Sequence, residues 1–354
     1  MLRIPIEPPA VMAALTPSPN RAGARVSVRA AGRLHLGFLD PSASLGRRYG
    51  SLGLMIEGFA TEVDIAPAET DTLIADTPAA QAELARVATF LQDLREHTGR
   101  RAPLALRLRA VLPAHAGLGS GTQLALAVGR AFARWQGLDV PTSRLGQWLG
   151  RGQRSGIGLA GFDEGGLLVD GGPSAAGAPA ALLARINMPP TWRAIVVLDA
   201  LRQGLSGADE RYAIASLPPL PQADAADICH QVLMRILAGA ANGEFGPFAA
   251  GLNRVQGLIG AHFAPAQGGS AWTSAPVGRL MHWVRDASAR LAGEGAAIGQ
   301  SSWGPTGFAI VPSDDAARTL VDAARIAGRV EPGLDVHIVA CRNRGAAIHD
   351  DAPR

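Results

Sequence analysis

The chain has 354 residues, 47% of them apolar, which is enough to bury sizeable cores; a disordered protein is excluded and two domains are expected. Its 33 basic and 30 acidic residues leave a charge of +3, and the basic residues are spread along the chain, so no nucleic-acid partner is implied. All the basic residues are arginine, which removes a lysine Schiff base and any phosphate loop of the G-x-x-x-x-G-K-[ST] type.

Residues 1–24, with Pro5, Pro8, Pro9, Pro17 and Pro19, read as a poorly ordered tail. Val26–Ala30 and Ala60–Ile65 alternate like strands, with a glycine-rich stretch from Gly46 to Gly58 between them. Leu84, Val87, Leu91 and Leu94 give helical spacing over residues 80–97. Leu104–Leu112 is an expected strand ended by Pro113, followed by an apolar helix over 122–135 and a shorter one over 142–149. The glycine-dense segment 151–172 contains an expected strand at 166–170, and the Ala/Gly/Pro sequence of 171–181 reads as a linker.

Beyond it come a strand at 194–198, helices at 223–238, 245–259 and 277–291, a strand at 307–311, a helix at 315–328 and a strand at 335–340. The expected organisation is a first domain over 25–180, a second over 190–342 and a tail over 343–354. No fixed-period repeat occurs.

Only two cysteines are present, Cys229 and Cys341, without any partner spacing, which points to a reducing, cytoplasmic setting. No stretch approaches the roughly 18 apolar residues of a membrane helix, so no membrane partner is expected. The eight histidines form no H-x-x-x-H pair, which speaks against zinc. Mg²⁺ carried in on substrate phosphates stays open, because it needs only one or two protein oxygens.

The segment Pro113-Ala-His-Ala-Gly-Leu-Gly-Ser-Gly-Thr-Gln123 carries the strongest chemical signal. A strand ends at proline, Gly117, Gly119 and Gly121 allow the backbone to fold tightly, and Ser120 and Thr122 bring hydroxyls to the start of a helix. Such a loop aims N–H groups at one spot with the positive end of a helix dipole behind them, and should bind phosphate or diphosphate. A tight turn with a capping Ser or Thr is the alternative. Arg29–Asp40, holding Arg33 and His35, reads alone as an amphipathic strand and turn, and Gly299–Gly307 as a small-residue loop entering a strand.

Together these segments resemble the GHMP kinase superfamily, and within it the β-ribofuranosylaminobenzene (or β-ribofuranosylphenol) 5′-phosphate synthases. The resemblance covers about residues 25–342. It rests on Gly32-Arg-Leu-His-Leu-Gly-Phe38, Gly50–Leu54, Gly117–Gln123, Arg154-Ser-Gly-Ile-Gly158 with Phe162, Gly165, Gly166, Asp170–Gly172, Gly204–Gly207 with Glu210, and Gln300-Ser-Ser-Trp-Gly-Pro-Thr-Gly307. Kinases of the superfamily carry Pro-Ser-Gly-x-Asp where this chain has Arg154–Gly158, so the kinase base is absent.

The resemblance implies an α+β, two-domain fold: an N-terminal ribosomal-S5-like α/β domain and a C-terminal ferredoxin-like α+β domain. It implies an enzyme that transfers phosphoribose from 5-phospho-α-D-ribose 1-diphosphate to 4-hydroxybenzoate or 4-aminobenzoate, with loss of CO₂ and diphosphate, early in tetrahydromethanopterin biosynthesis. An ATP-dependent small-molecule kinase is the alternative. His35, Ser120 and Arg154 are the expected catalytic residues, His35 because an imidazole titrates near neutrality. Arg33, Asp40, Gly117, Gly119, Gly121, Thr122, Gln123, Ser302 and Thr306 are expected to bind substrates, and Ser120, Glu164 and Asp170 to hold Mg²⁺. A homodimer is the default oligomer.

Overall fold

The computed structural model describes residues 25–174, 180–204 and 207–351. The expected tail over 1–24, part of the linker (175–179), and Leu205 and Ser206 of the Gly204–Gly207 motif lie outside the described residues.

Strands β1 (Arg25–Asp40) and β2 (Tyr49–Pro67) pair antiparallel, from Val26 opposite Ile65 to Asp40 opposite Tyr49. Alternating burial holds only as far as Ala30; from there to Phe38 every residue except Arg33 is buried. The strand is therefore longer than its alternating pattern, because a strand covered on both faces loses the two-residue period. Most of the glycine-rich stretch placed between the two strands, from Tyr49 on, belongs to β2. A Cβ at Gly53 would lie 2.3 Å from Ile157 Cγ2, so glycine there lets a helix sit directly on the strand.

β2 then forks. Its residues 62–67 pair with β4 (Leu104–Ala110) and its residues 51–54 with β5 (Leu167–Asp170). β3 (Thr72–Ala75) lies parallel to β4, and β6 (Leu182–Ile186) antiparallel to β5. Residues expected as a C-terminal tail return to this sheet: β11 (Ala347–Asp351) pairs antiparallel with β1. Ala-Ile-His-Asp-Asp has too little apolar alternation to announce an edge strand. Helices α1 (Pro78–Thr98) and α2 (Ser120–Trp135) cover the face carrying Val28, Val63 and Leu106. α3 (Thr142–Trp148) and α4 (Ile157–Glu164) follow.

The second sheet has the order β10-β7-β9-β8, built from β7 (Arg193–Asp199), β8 (Ala297–Gln300), β9 (Gly307–Val311) and β10 (Leu334–Ala340). Between β7 and β8 run α5 (Gly207–Ser216), α6 (Gln222–Gln231), a π-helical stretch Val232–Leu237, α7 (Ala238–Asn242), α8 (Phe245–Phe263) and α9 (Ala275–Ala292). α9 and α10 (Asp314–Ile326) pack on Ile195, Val197, Ala309 and Val311. The opposite side chains, Ala194, Val196, Phe308 and Ile310, share one core with Leu34, Leu36, Leu52 and Leu54 of the first sheet and with α6 and α8. Backbone bonds add to this apolar weld: Arg342 N–H donates to Met55 O at 2.9 Å and Gly166 N–H to Arg342 O at 2.7 Å.

Candidate active site

The glycine loop joins β4 to α2. Gly117 and Gly119 have φ of +83° and +80°, in the left-handed region that glycine enters without strain. Gly119 is the N-cap of α2 and offers no side chain to the first N–H groups of the helix. Thr122 and Gln123 N–H donate to Gly119 O, both at 3.1 Å, so among the described residues the N–H groups of Ser120 and Gly121, at the positive end of the dipole, are the ones left for solvent or an anion. Ser120 opens the helix and is half-buried.

Three guanidinium groups border this turn. A Cβ at Gly119 would lie 3.2 Å from Arg33 Cγ, and one at Gly121 would lie 2.9 Å from Arg86 Nη2 and 3.6 Å from Arg151 Nη1. Arg33 Nη1 donates to Gly117 O at 2.5 Å. Arg86 is held by Glu83 at 2.8 Å, whereas the buried Nε of Arg151 has no hydrogen-bond partner among the described residues. Burial and the neighbouring charge of Arg86 lower the Arg151 pKa, opposed by Glu83. Two cations crowded at a helix N-terminus are repulsive until an anion joins them.

The loop between β8 and β9 closes against this turn from the second sheet. Ser301 is the link: its Oγ accepts the His35 N–H at 2.9 Å and donates to Gly117 O at 2.7 Å. Ser302 N–H donates to His35 O at 3.2 Å. The approach is backbone to backbone, since a Cβ at Gly117 would lie 2.2 Å from Ser301 O and one at Gly304 2.3 Å from Ala116 O. His35 is 4% exposed, and its pKa is pushed down to about 3 by burial first, then by the charges of Arg33 and Arg154. It is neutral at physiological pH, which corrects the expectation of an imidazole titrating near neutrality.

This geometry accompanies sequence likeness over nearly the whole chain. The GHMP kinases N terminal domain matches residues 84–164, and the GHMP kinases C terminal domain matches 258–330. The beta-ribofuranosylphenol 5'-phosphate synthase of Archaeoglobus fulgidus is 32% identical over 91% of this chain and 98% of its own length. The chain belongs to the beta-ribofuranosylphenol 5'-phosphate synthase family. The protein of that name from Methanothermobacter thermautotrophicus is 30% identical over 64% of this chain and 73% of its own. Solved structures share the fold at low identity. Phosphomevalonate kinase of Streptococcus pneumoniae has a TM-score of 0.64 at 13% identity, covering 90% of this chain and 99% of its own. Homoserine kinase of Cytophaga hutchinsonii has 0.60 at 15%, covering 92% and 97%.

In this synthase-family chain, Arg33, His35, Gly117, Gly119, Ser120, Gly121, Arg154 and Ser302 gather around the turn or directly behind it. Other expected residues also bond within the fold. Gln123 is buried and its Nε2 donates to Gly158 O at 3.0 Å, tying α2 to α4; Thr122 lies against the same glycine. Thr306 is wholly buried, and its carbonyl accepts the Ser301 N–H at 2.9 Å, so it shapes the closing loop from within. Asp40 caps the turn after β1, accepting the N–H groups of Ser42 and Ser44 at 3.0 and 2.7 Å, seven residues and thus roughly 20 Å of strand beyond Arg33.

The two carboxylates expected to hold Mg²⁺ have partners within the fold. Asp170 is fully buried and accepts the N–H groups of Gly156 and Gly172, both at 2.8 Å, and the Ser155 hydroxyl at 3.1 Å. Glu164, at the far end of α4 from the Gly158–Thr122 contact, lies 3.6 Å from Arg185. Among the described residues no group of three or more His, Cys, Asp or Glu side chains is arranged for a metal. Three residues bordering the candidate site have no signal in the sequence: Arg86, Arg151 and Ser301. The arginines are distant in sequence from the loop they flank; Ser301 differs from its neighbour Ser302 only in which way it faces.

Proposed function

We propose that the chain transfers phosphoribose from 5-phospho-α-D-ribose 1-diphosphate to the ring of 4-hydroxybenzoate or 4-aminobenzoate, releasing CO₂ and diphosphate. One observation carries the reading: the 32% identity to a named beta-ribofuranosylphenol 5'-phosphate synthase, extending over 91% of the chain. The bond from ribose C1′ to the diphosphate oxygen breaks, and diphosphate leaves with the electron pair. The ring carbon bearing the carboxylate attacks C1′. Loss of CO₂ then returns an electron pair to the ring, so no proton need be added to carbon, and a neutral His35 suits the place it occupies.

The departing diphosphate suits the N–H groups opening α2 together with Arg86 and Arg151, a preorganised set of donors whose attraction grows as negative charge develops. Arg33 and Arg154, beside His35, are assigned to the aromatic carboxylate and the sugar 5-phosphate, which a guanidinium grips through two parallel bonds. Of the expected magnesium ligands only Ser120 stands at the loop, so Mg²⁺ would arrive on the donor's phosphates. A place early in tetrahydromethanopterin synthesis, a reducing cytoplasmic setting suited to the free Cys229 and Cys341, and a homodimer complete the proposal. Among the described residues no helix is long and apolar enough to cross a membrane.

The test incubates purified protein with carboxyl-labelled hydroxybenzoate or aminobenzoate and either the phosphoribosyl donor or ATP. Labelled CO₂ is expected only with the donor. ADP formation without CO₂ release would replace the transferase reading with a kinase.

A further inference from the structure

Behind the phosphate turn, a cavity of about 160 Å³ lies between β1, α8, β8 and α9. An apolar cavity of about 150 Å³ holds a benzene ring, whereas drug-sized ligands occupy roughly 300 Å³ or more. One aromatic ring fits this space. Its wall is aromatic already: Phe38 meets Phe263 at 6.4 Å between ring centroids and Phe263 meets Trp303 at 4.6 Å, both edge to face. Those three side chains are buried, so the wall is held by the core.

Polar groups mark the two ends of the cavity. The amides along its side are already engaged: Gln256 donates to Leu36 O at 2.7 Å and accepts from Gln300 N–H at 2.9 Å, while Asn253 bonds Ala296 O and Ile298 N–H. At the inner end is the buried His35, tied through Ser301 to Gly117 of the phosphate turn. At the exposed outer end are His282 and Arg285, with Trp272 Nε1 donating to His282 Nε2 at 3.3 Å.

We infer that this cavity seats a para-substituted benzoate, its carboxylate-bearing carbon toward His35 and its para substituent toward Trp272 and His282. The inference rests on the proposed transfer, which supplies the class of ring. The orientation follows from the chemistry. The carbon that loses CO₂ is the one that must reach ribose C1′, and the phosphate turn is at the inner end only. The para group then meets the indole N–H and imidazole pair, which is where a hydroxyl would be told from an amine.

Gly257 supplies a clean test, because it lines the cavity from α8 and a Cβ there would meet nothing within 4 Å. Gly257→Phe fills the space, does not touch the phosphate turn and replaces glycine by a better helix former. Calorimetric titration should show affinity for 4-hydroxybenzoate and 4-aminobenzoate falling at least tenfold, with donor affinity within about twofold of the parent. Unchanged benzoate affinity in the folded variant overturns the inference, as does a parent protein that binds neither benzoate. Trp272→Phe, which removes only the indole N–H at the outer end, should shift the ratio of the two benzoate affinities at least threefold; an unmoved ratio overturns the assigned orientation. A parent that binds benzoate with an affinity lost in Gly257→Phe, but releases no CO₂, would refute the transfer while leaving the cavity's ligand standing.

Discussion

The Ser301 hydroxyl donates to the Gly117 carbonyl at 2.7 Å, so one buried side chain ties the closing loop of the second sheet to the glycine turn of the first. Ser301→Ala deprives that carbonyl and the His35 N–H of a partner at once. It should cost about 1–3 kcal/mol of stability and, by loosening the turn, lower kcat/KM by roughly tenfold or more. Thermal unfolding and steady-state kinetics check this, with Ser302→Ala as the milder control. A Ser301→Ala protein with parental Tm and kinetics would show that the contact positions nothing.

Gly117→Ala and Gly119→Ala should differ although both positions have positive φ. The backbone conformation costs a non-glycine residue about 1–3 kcal/mol at either place. At Gly117 the new methyl would also strike the fixed Ser301 carbonyl at 2.2 Å, whereas at Gly119 it would meet the movable Arg33 stem at 3.2 Å. Denaturant titration should therefore rank Gly117→Ala as the less stable variant. The reverse order would mean that the closing loop yields more readily than its packing implies.

Arg151→Met keeps the apolar stem that lies over the Phe90 ring and removes the charge crowded against Arg86. The unliganded protein should be as stable as the parent or more so. Donor binding should weaken by roughly 10- to 100-fold, the loss of one or two charge-assisted hydrogen bonds. Titration with the phosphoribosyl donor, alongside a melting curve, separates the two effects; unaltered donor affinity would remove Arg151 from the diphosphate site.

His35 gives the protein a specific weakness in acid. Its folded-state pKa, near 3, lies below the ordinary 6.5, so between these values the unfolded chain binds the proton and the folded chain does not. The stability it confers is complete above about pH 6.5 and is lost as pH falls toward 3, a few kcal/mol in all. His35→Gln should flatten that acid limb in pH-dependent unfolding. In the parent, no kinetic pKa between 6 and 7 should belong to this residue, which a shift of the kcat/KM profile on substitution would contradict.

Glu164→Gln should leave turnover and its dependence on Mg²⁺ near parental values, since Glu164 stands at the distal end of α4 beside Arg185. Asp170→Ala should cost about 2 kcal/mol or more by stranding the Gly156 and Gly172 N–H groups, again without changing the magnesium midpoint. A large change in that midpoint for either variant would restore it as a metal ligand.

The sequence by itself determined the parts whose signals are local. Alternating glycines before an apolar helix specify the tight turn that opens α2, periodicity locates α1, α2, α8, α9 and α10, and the ordered set of motifs specifies the family. Local patterns fell short where both faces of a strand are covered, as in β1 beyond Ala30, or where an edge strand such as β11 buries little. Tertiary structure alone decided which polar side chains meet. It brought Arg86 and Arg151 to Gly121, set Ser301 between His35 and Gly117, and turned Asp170 and Gln123 inward to satisfy buried backbone groups. Residue type fixes what a side chain can do, but burial, neighbouring charge and the nearest unsatisfied partner are set by contacts between distant segments. Those contacts are why an imidazole expected to titrate near neutrality is held neutral by burial and two arginines.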